Sequence, residues 1–103
     1  MIDQGGFLRG SAEQRRHTTR HKMFEPVTLR IGKAKMRGHF LDLSCSGALA
    51  HCETPPMTGA YVAVEALGLQ TSGRVMWVRG KRFGIQFSQP LDNEAMTVLI
   101  RGV

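Results

Sequence analysis

The sequence contains few cysteines, and their positions argue against both a disulfide and a zinc site. Cys45 and Cys52 are the two cysteines of the chain and fall in one segment that is predicted to be extended. Because a strand advances about 3.3 Å per residue, the two sulfurs are expected roughly 20 Å apart, well beyond disulfide reach. Neither belongs to a CxxC or CxxH pair, so no metal site is predicted.

The sequence also lacks a long apolar run. None of its stretches approaches the roughly 18 to 20 consecutive apolar residues that cross a bilayer. Its first residues, MIDQGGFLRGSAEQRR, lack the apolar centre of a secretory signal peptide. We therefore expect no membrane insertion and a cytoplasmic location. The 103 residues are enough for one domain with a modest core.

Acidic residues are scarce relative to basic ones. Eight acidic and 14 basic side chains leave a net charge of +6, which favours an anionic partner. Half of this excess lies in residues 1–22, which hold five basic and two acidic side chains and little apolar periodicity. We interpret residues 1–22 as a flexible basic arm and residues 23–103 as the folded domain.

Beyond the arm, apolar residues alternate with polar ones in six short segments, which predicts strands. After Pro90 the apolar spacing lengthens to that of a helix face, which indicates a short C-terminal helix. Six antiparallel strands favour a small closed barrel, because closure leaves no exposed edge strand. The predicted fold is therefore mainly β, a six-stranded antiparallel barrel with a short C-terminal helix. Its strands are expected at residues 27–31, 34–43, 48–52, 61–67, 71–79 and 83–87.

Two arginines of the arm form an Arg-x-x-x-Arg pair. Arg16 and Arg20 lie within RRHTTR, residues 15–20. Guanidinium groups are flat, permanently charged forks that match phosphate oxygens and the O6/N7 edge of guanine. In a chain with ten arginines, about one such pair is expected by chance, so the pair alone decides little.

A rarer pattern is DLSCSG, residues 42–47, an Asp-x-Ser-x-x-Gly arrangement. In a strand, Asp42 and Ser44 share a face, which we expect to be the solvent face, with Leu41 and Leu43 turned into the core. The carboxylate can accept hydrogen bonds from the N1–H and N2–H₂ edge of guanine, and the hydroxyl can bond a phosphate or a backbone amide. Gly47 permits a bend that a side chain would obstruct. Chance alone produces this pattern only about 0.02 times in such a chain, although the same residue types also form strand-end Asx or ST turns.

Together these residues resemble the PilZ domain, a bacterial receptor family for cyclic di-GMP. The resemblance rests on RHTTR at 16–20, DLSCSGALA at 42–50 and GRVMWVRGKRFGIQF at 73–87, in the family's order and approximate spacing. It implies a six-stranded antiparallel barrel with a C-terminal helix, in agreement with the periodicity. It also implies a stand-alone signalling domain that acts on an unidentified downstream protein, for example in the control of motility or biofilm formation.

The resemblance also implies the site residues. Arg16 and Arg20 are expected to clamp guanine faces and phosphates of cyclic di-GMP as the arm closes over the ligand. Asp42 and Ser44 are expected to recognise guanine from the barrel surface, with Gly47 shaping the turn. The ligand is the signal itself, and no cofactor is expected.

Two further residues extend this site. Arg15 resembles the basic residue of family members that bind an intercalated ligand dimer, which makes two ligands per site an expectation. Trp77 either stacks on the ligand at the rim of the site or packs in the core, as a lone aromatic in an alternating strand usually does.

Two other functions remain open. One is a PilZ-like adaptor that contacts a partner protein without binding nucleotide. The other is a general RNA- or DNA-binding barrel, which would display several stacking aromatics on one face. Because Phe83, Phe87 and Trp77 occupy positions that alternate inward, binding of RNA or DNA is not expected.

Catalysis is not expected either. Ser44, His51 and Asp42 are near one another in sequence, but strand spacing places His51 well away from Ser44. A catalytic triad requires its base to be oriented against the nucleophile. The sequence also lacks a phosphate-binding glycine loop and a cluster of metal-ligating residues.

Overall fold

Six antiparallel strands and one helix account for the regular structure of residues 19–101, the part of the chain that this computed structural model describes. They are β1 His21–Ile31, β2 Ala34–Leu43, β3 Gly47–Cys52, β4 Tyr61–Ala66, β5 Leu69–Arg79, β6 Arg82–Phe87 and α1 Asn93–Arg101. The strands close into a barrel in the order β1–β2–β3–β6–β5–β4, with β4 paired back to β1. This architecture confirms the predicted mainly β barrel with a short C-terminal helix.

The first strand begins earlier than its apolar alternation indicated. His21 and Lys22 already pair with Leu43 and Asp42 of β2. The last two positions of the segment assigned to the basic arm therefore belong to the sheet. Residues 1–18, which include Arg15 and Arg16, lie outside the described part of the chain.

The barrel interior is filled by the inward side of every strand. Burial of apolar surface stabilises the fold by about 25 cal/mol per Å². The largest side chains that are fully buried are Phe40, Phe83, Leu29, Leu43, Val62 and Val75.

Helix α1 adds one deeply buried side chain to this core. Leu99 is 4% exposed, and the half-buried Met96 packs against the same cluster. The helix begins after Asp92, whose Oδ1 accepts a hydrogen bond of 2.8 Å from the N–H of Ala95 and so caps the first turn. No helix within residues 19–101 has the length and apolar character that a membrane crossing requires.

A single-residue bulge in β2 changes which of its side chains face the core. The register with β3 shifts between Phe40 and Asp42, which leaves Leu41 as the extra residue. As a result Phe40 and Leu43, three positions apart, are both buried, whereas Leu41 is only half-buried. The prediction that Leu41 and Leu43 face the core together is therefore wrong for Leu41.

A second bulge in β5 has the same effect on its aromatic residue. The register with β6 shifts between Val75 and Trp77, with Met76 as the extra residue. Val75 is completely buried, whereas Trp77 is 41% exposed. The inward orientation expected for Trp77 is therefore wrong, because an extra residue reverses the alternation between faces.

The buried position of Phe83 leads to a stability prediction. We expect Phe83→Ala to lower the free energy of unfolding by about 3–5 kcal/mol, because it removes a large apolar side chain and leaves a cavity. Urea denaturation followed by circular dichroism measures the change. The control is Gln70→Ala, at an exposed position of β5, which should change stability by less than about 0.5 kcal/mol. Equal effects of the two substitutions would contradict the proposed core.

Candidate ligand-binding site

Four residues from adjacent strands form a row across the outer surface of the barrel. Asp42 of β2 lies opposite Leu49 of β3, and Leu49 lies opposite Gly84 of β6. Gly84 in turn lies opposite Trp77 of β5. We call these four residues the site row. Residues directly opposite one another in antiparallel strands point to the same face, so the row is one continuous surface.

A groove of about 340 Å³ lies over three of the four residues of the site row, Leu49, Gly84 and Trp77. Its lining brings together predicted residues from three parts of the sequence: Arg20, Ser44, Gly47 and Trp77. A groove of about 450 Å³ on another face is lined by residues such as Thr28, Glu65 and Ser88, and it contains none of the predicted site residues.

Arg20 and Asp42 form an ion pair at one end of the site row. Arg20 Nη1 lies 3.6 Å from Asp42 Oδ2, and the two side chains are 66% and 17% exposed. The other carboxylate oxygen, Asp42 Oδ1, is buried and has no hydrogen-bond partner among the described residues. An unsatisfied buried oxygen costs about 1–3 kcal/mol, so Asp42 is a strong acceptor with unused capacity. The second oxygen, Oδ2, faces Arg20, which itself lines the groove.

Ser44 does not face solvent as expected, and this orientation prediction is wrong. The residue is 3% exposed. Its Oγ lies 3.3 Å from Ser46 Oγ and donates to the carbonyl of Gly47 at 3.3 Å, while its N–H donates to the same carbonyl at 2.9 Å. The serine thus stabilises the turn after β2 by donating from both its hydroxyl and its N–H to the carbonyl of Gly47.

The turn that Ser44 stabilises is also tied to the rest of the barrel. The carbonyl of Ser46 accepts a hydrogen bond from Phe87 N–H at 2.9 Å, and that of Cys45 accepts one from Leu91 N–H at 2.8 Å. Gly47 is required here by close packing, since a Cβ at this position would collide with the carbonyl oxygen of Ile85. The Asp-x-Ser-x-x-Gly segment therefore holds the edge of the groove in one shape.

Trp77 lies directly on Gly84 at the other end of the site row. A Cβ at Gly84 would collide with the indole, so the glycine lets the ring approach the sheet. The guanidinium carbon of Arg79 lies 5.8 Å from the centroid of the ring. The indole is thus an exposed, well-supported aromatic surface beside the groove.

Part of this groove is formed by residues that were not predicted as site residues. Met76, Gly84 and Gln86 line it, and all three lie in the 73–87 segment that carries the family resemblance. A detectable signal existed for Gly84, because a glycine between the inward Phe83 and Ile85 suggests a close approach on the outer face.

The described residues offer no metal site and no activated nucleophile. Within residues 19–101, no three His, Cys, Asp or Glu side chains are placed to hold a metal ion. Both cysteines are free, and desolvation raises the pKa of the buried Cys52 thiol above its usual value, which keeps it protonated. The hydroxyl of Ser44 is bonded within its turn and has no histidine partner in this part of the chain.

Comparison with known proteins identifies the family. A family model for the PilZ domain matches residues 14–103, nearly the whole chain, including Arg15, Arg16 and the site row. No curated protein matches the sequence. PilZ domains are binding and adaptor modules of cyclic di-GMP signalling and not an enzyme family. With its closed six-stranded barrel and this match, the chain belongs to the PilZ domain family.

Proposed function

We propose that this protein is a receptor that binds cyclic di-GMP in the groove over the site row and passes the signal to a partner protein. The observation that carries the proposal is that Arg20 and Trp77 line one groove, while Asp42 lies at its edge in an ion pair with Arg20. A ligand with two guanines and two phosphates needs a cation, a hydrogen-bond acceptor and a stacking surface, and these three side chains supply them. A plain basic patch would have no use for the carboxylate.

Asp42 recognises the guanine in this proposal. One of its carboxylate oxygens, Oδ1, has no hydrogen-bond partner among the described residues. A carboxylate can accept hydrogen bonds from the N1–H and N2–H₂ donors of one guanine edge. Ser44 and Gly47 contribute by fixing the turn beside it, and the turn leaves the Ser44 hydroxyl little freedom to reach a ligand.

The arginines bind the charged and flat parts of the ligand. Arg20 is two-thirds exposed, and the 3.6 Å separation from Asp42 is long for a charge-assisted hydrogen bond, so its guanidinium can turn to a phosphate. Arg16 joins it in clamping the nucleotide, and Arg15 supports a second ligand molecule at the same site. These two roles follow from the family motif.

Trp77 provides the stacking surface. A guanine placed in the groove can lie on the indole, as aromatic side chains do with bases. The exposed position of the ring favours this role over the core role that alternation had suggested.

A general RNA- or DNA-binding barrel is the second candidate, and one observation favours it. Phe24, Tyr61 and Trp77 are 70%, 71% and 41% exposed, and of these only Trp77 was expected to face inward. The three rings occupy separate places, since Phe24 stacks on His39 and Tyr61 lies under Arg74. Calorimetry with a short RNA at two salt concentrations separates the candidates, because backbone-driven binding weakens steeply with salt.

The signal leaves the protein through residues 1–22 in this proposal. The arm closes over the bound nucleotide and becomes ordered, and the ordered arm changes the surface that the partner contacts. The partner is a protein of the cytoplasm, where cyclic di-GMP controls processes such as motility and biofilm formation.

Removing either member of the ion pair should weaken cyclic di-GMP binding. We expect Arg20→Ala and Asp42→Asn each to raise Kd about 10- to 100-fold, because each removes a charge-assisted contact of about 1.5–3 kcal/mol. Isothermal titration calorimetry measures the affinity, and thermal melting verifies that each variant is folded. Glu53→Gln is the matched control, since it breaks the exposed Lys81–Glu53 ion pair outside the groove and should leave Kd unchanged. Wild-type affinity in Asp42→Asn would refute the role of the carboxylate.

The single tryptophan of the chain reports directly on the groove. We expect cyclic di-GMP to quench the emission of Trp77, and Trp77→Ala to raise Kd about tenfold through loss of stacking. Fluorescence titration measures the first effect and calorimetry the second. Tyr61→Ala, which removes an exposed aromatic outside the groove, should preserve the affinity. Emission that does not respond to saturating ligand would exclude stacking on Trp77.

Hydrogen exchange tests the proposed ordering of the arm. We expect amide exchange in residues 1–20, which precede β1, to slow when cyclic di-GMP is added, because ordered backbone groups open less often. The same measurement on Arg20→Ala, at a ligand concentration well below the raised Kd of that variant, should show no change. An arm that exchanges equally fast with and without saturating ligand would contradict the proposed relay.

A further inference from the structure

A second row of side chains lies beside the site row on the same outer face. His39 of β2 lies opposite His51 of β3, and His51 lies opposite Arg82 of β6. Arg82 in turn lies opposite Arg79 of β5. We call these four residues the basic row. It is displaced by two residues from the site row along β3, β6 and β5, a distance of about 7 Å, and its two arginines are exposed.

The charges of the basic row are not balanced within the described part of the chain. Arg79 and Arg82 face each other directly, an arrangement that costs stability unless an anion lies between or above them. The nearest acidic side chain in sequence, Glu53, is already used, since Lys81 Nζ donates to its Oε1 at 2.7 Å. Among residues 19–101, ion pairs join Lys81 to Glu53 and Arg20 to Asp42, and neither includes Arg79 or Arg82.

An exposed aromatic ring borders one end of the basic row. Phe24 is 70% exposed and stacks on His39, with ring centroids 4.0 Å apart and planes 11° from parallel. The stacking holds the imidazole flat and leaves the other face of Phe24 to solvent. The exposed face of Phe24 therefore offers an apolar contact at the end of a cationic surface.

We propose that the basic row is the docking surface for an acidic segment of a partner protein. Three inter-strand spacings of about 4.8 Å make the row roughly 14 Å long, which matches carboxylates at alternate positions of about five extended residues. Such a segment would place carboxylates on Arg79 and Arg82 and an apolar side chain on Phe24. This inference specifies the kind of partner protein that the proposed receptor contacts. It rests on the proposed cyclic di-GMP receptor function only for the transmission of the signal, because docking of the acidic segment itself requires no nucleotide.

The surroundings favour a protein segment over a nucleic acid. Glu53 sits beside the row on Lys81, and this contact holds the pKa of Glu53 below its usual range, so that it stays charged at neutral pH. The ion pair with Lys81 leaves Glu53 unable to neutralise the arginines of the row. One face of Phe24 is covered by His39, and Arg79 lies over Trp77, so both rings next to the row are already partly occupied.

Fluorescence anisotropy tests this proposal. The first probe is a labelled twelve-residue peptide in which Glu alternates with Asp and in which Phe flanks the Asp residues. The second probe is a twelve-nucleotide single-stranded RNA. The variant is Arg82→Glu, which places opposite charges across β5 and β6 and so favours folding. The matched control is Arg30→Glu, because Arg30 of β1 is also exposed and also lies opposite a cation, Lys35, but belongs to neither row. We expect Arg82→Glu to weaken peptide binding about tenfold or more and Arg30→Glu to leave it within about twofold.

Each other outcome overturns the proposal. Equal losses in the two variants would mean attraction by net charge alone, and tighter binding of RNA than of peptide would assign the row to nucleic acid. Absence of peptide binding at low salt would exclude an acidic partner. Arg20→Ala separates this proposal from the receptor function, because that variant should lose cyclic di-GMP and still bind the peptide.

Discussion

The candidate site depends on two bulges that reverse the alternation of side chains in β2 and β5. With Leu41 and Met76 as extra residues, Asp42 and Trp77 point outward while their neighbours Phe40 and Val75 stay in the core. If the bulge in β2 were absent, Asp42 would share the inward face of Phe40, and if the bulge in β5 were absent, Trp77 would share the inward face of Val75. A bulge also bends and twists its strand, so the same feature that exposes these side chains curves the sheet beneath them. Core packing and ligand recognition are thus fixed by one backbone arrangement.

The fold could be predicted from the sequence because its determinants are local. Alternation of apolar residues predicted five of the six strands to within two positions at each end and β1 without its first six residues, and the change of period after Pro90 predicted α1. Alternation could not predict which side chains point into the barrel near a bulge, because it assumes an unbroken register between the strands. In β2 a signal was present: Phe40 and Leu43 are large apolar residues three positions apart, a spacing that fits one face of a strand only if an extra residue lies between them.

The predicted site residues that the structure describes lie near one another, but the contacts that each makes could not be predicted from the sequence. The rare Asp-x-Ser-x-x-Gly pattern located the right turn, yet Ser44 supports that turn from a buried position and does not present its hydroxyl outward. Hydrogen bonding within a turn and hydrogen bonding to a ligand use the same residue types, so a pattern alone cannot separate them. Burial separates them: it leaves Asp42 the acceptor at the groove, and it makes Ser44 a support for the turn.

The position of Arg79 gives the two rows a physical connection. Its guanidinium lies over the ring of Trp77 at the end of the site row, while its backbone position belongs to the basic row. A guanine that stacks on the exposed face of Trp77 must either cover Arg79 or move it, and a carboxylate that binds Arg79 draws it away from the ring. Because coupling between two binding sites is reciprocal, nucleotide and acidic segment would each change the affinity of the other by the same factor. In the two proposals, Arg79 would therefore couple the two rows in addition to the ordering of the arm, without any change in the barrel.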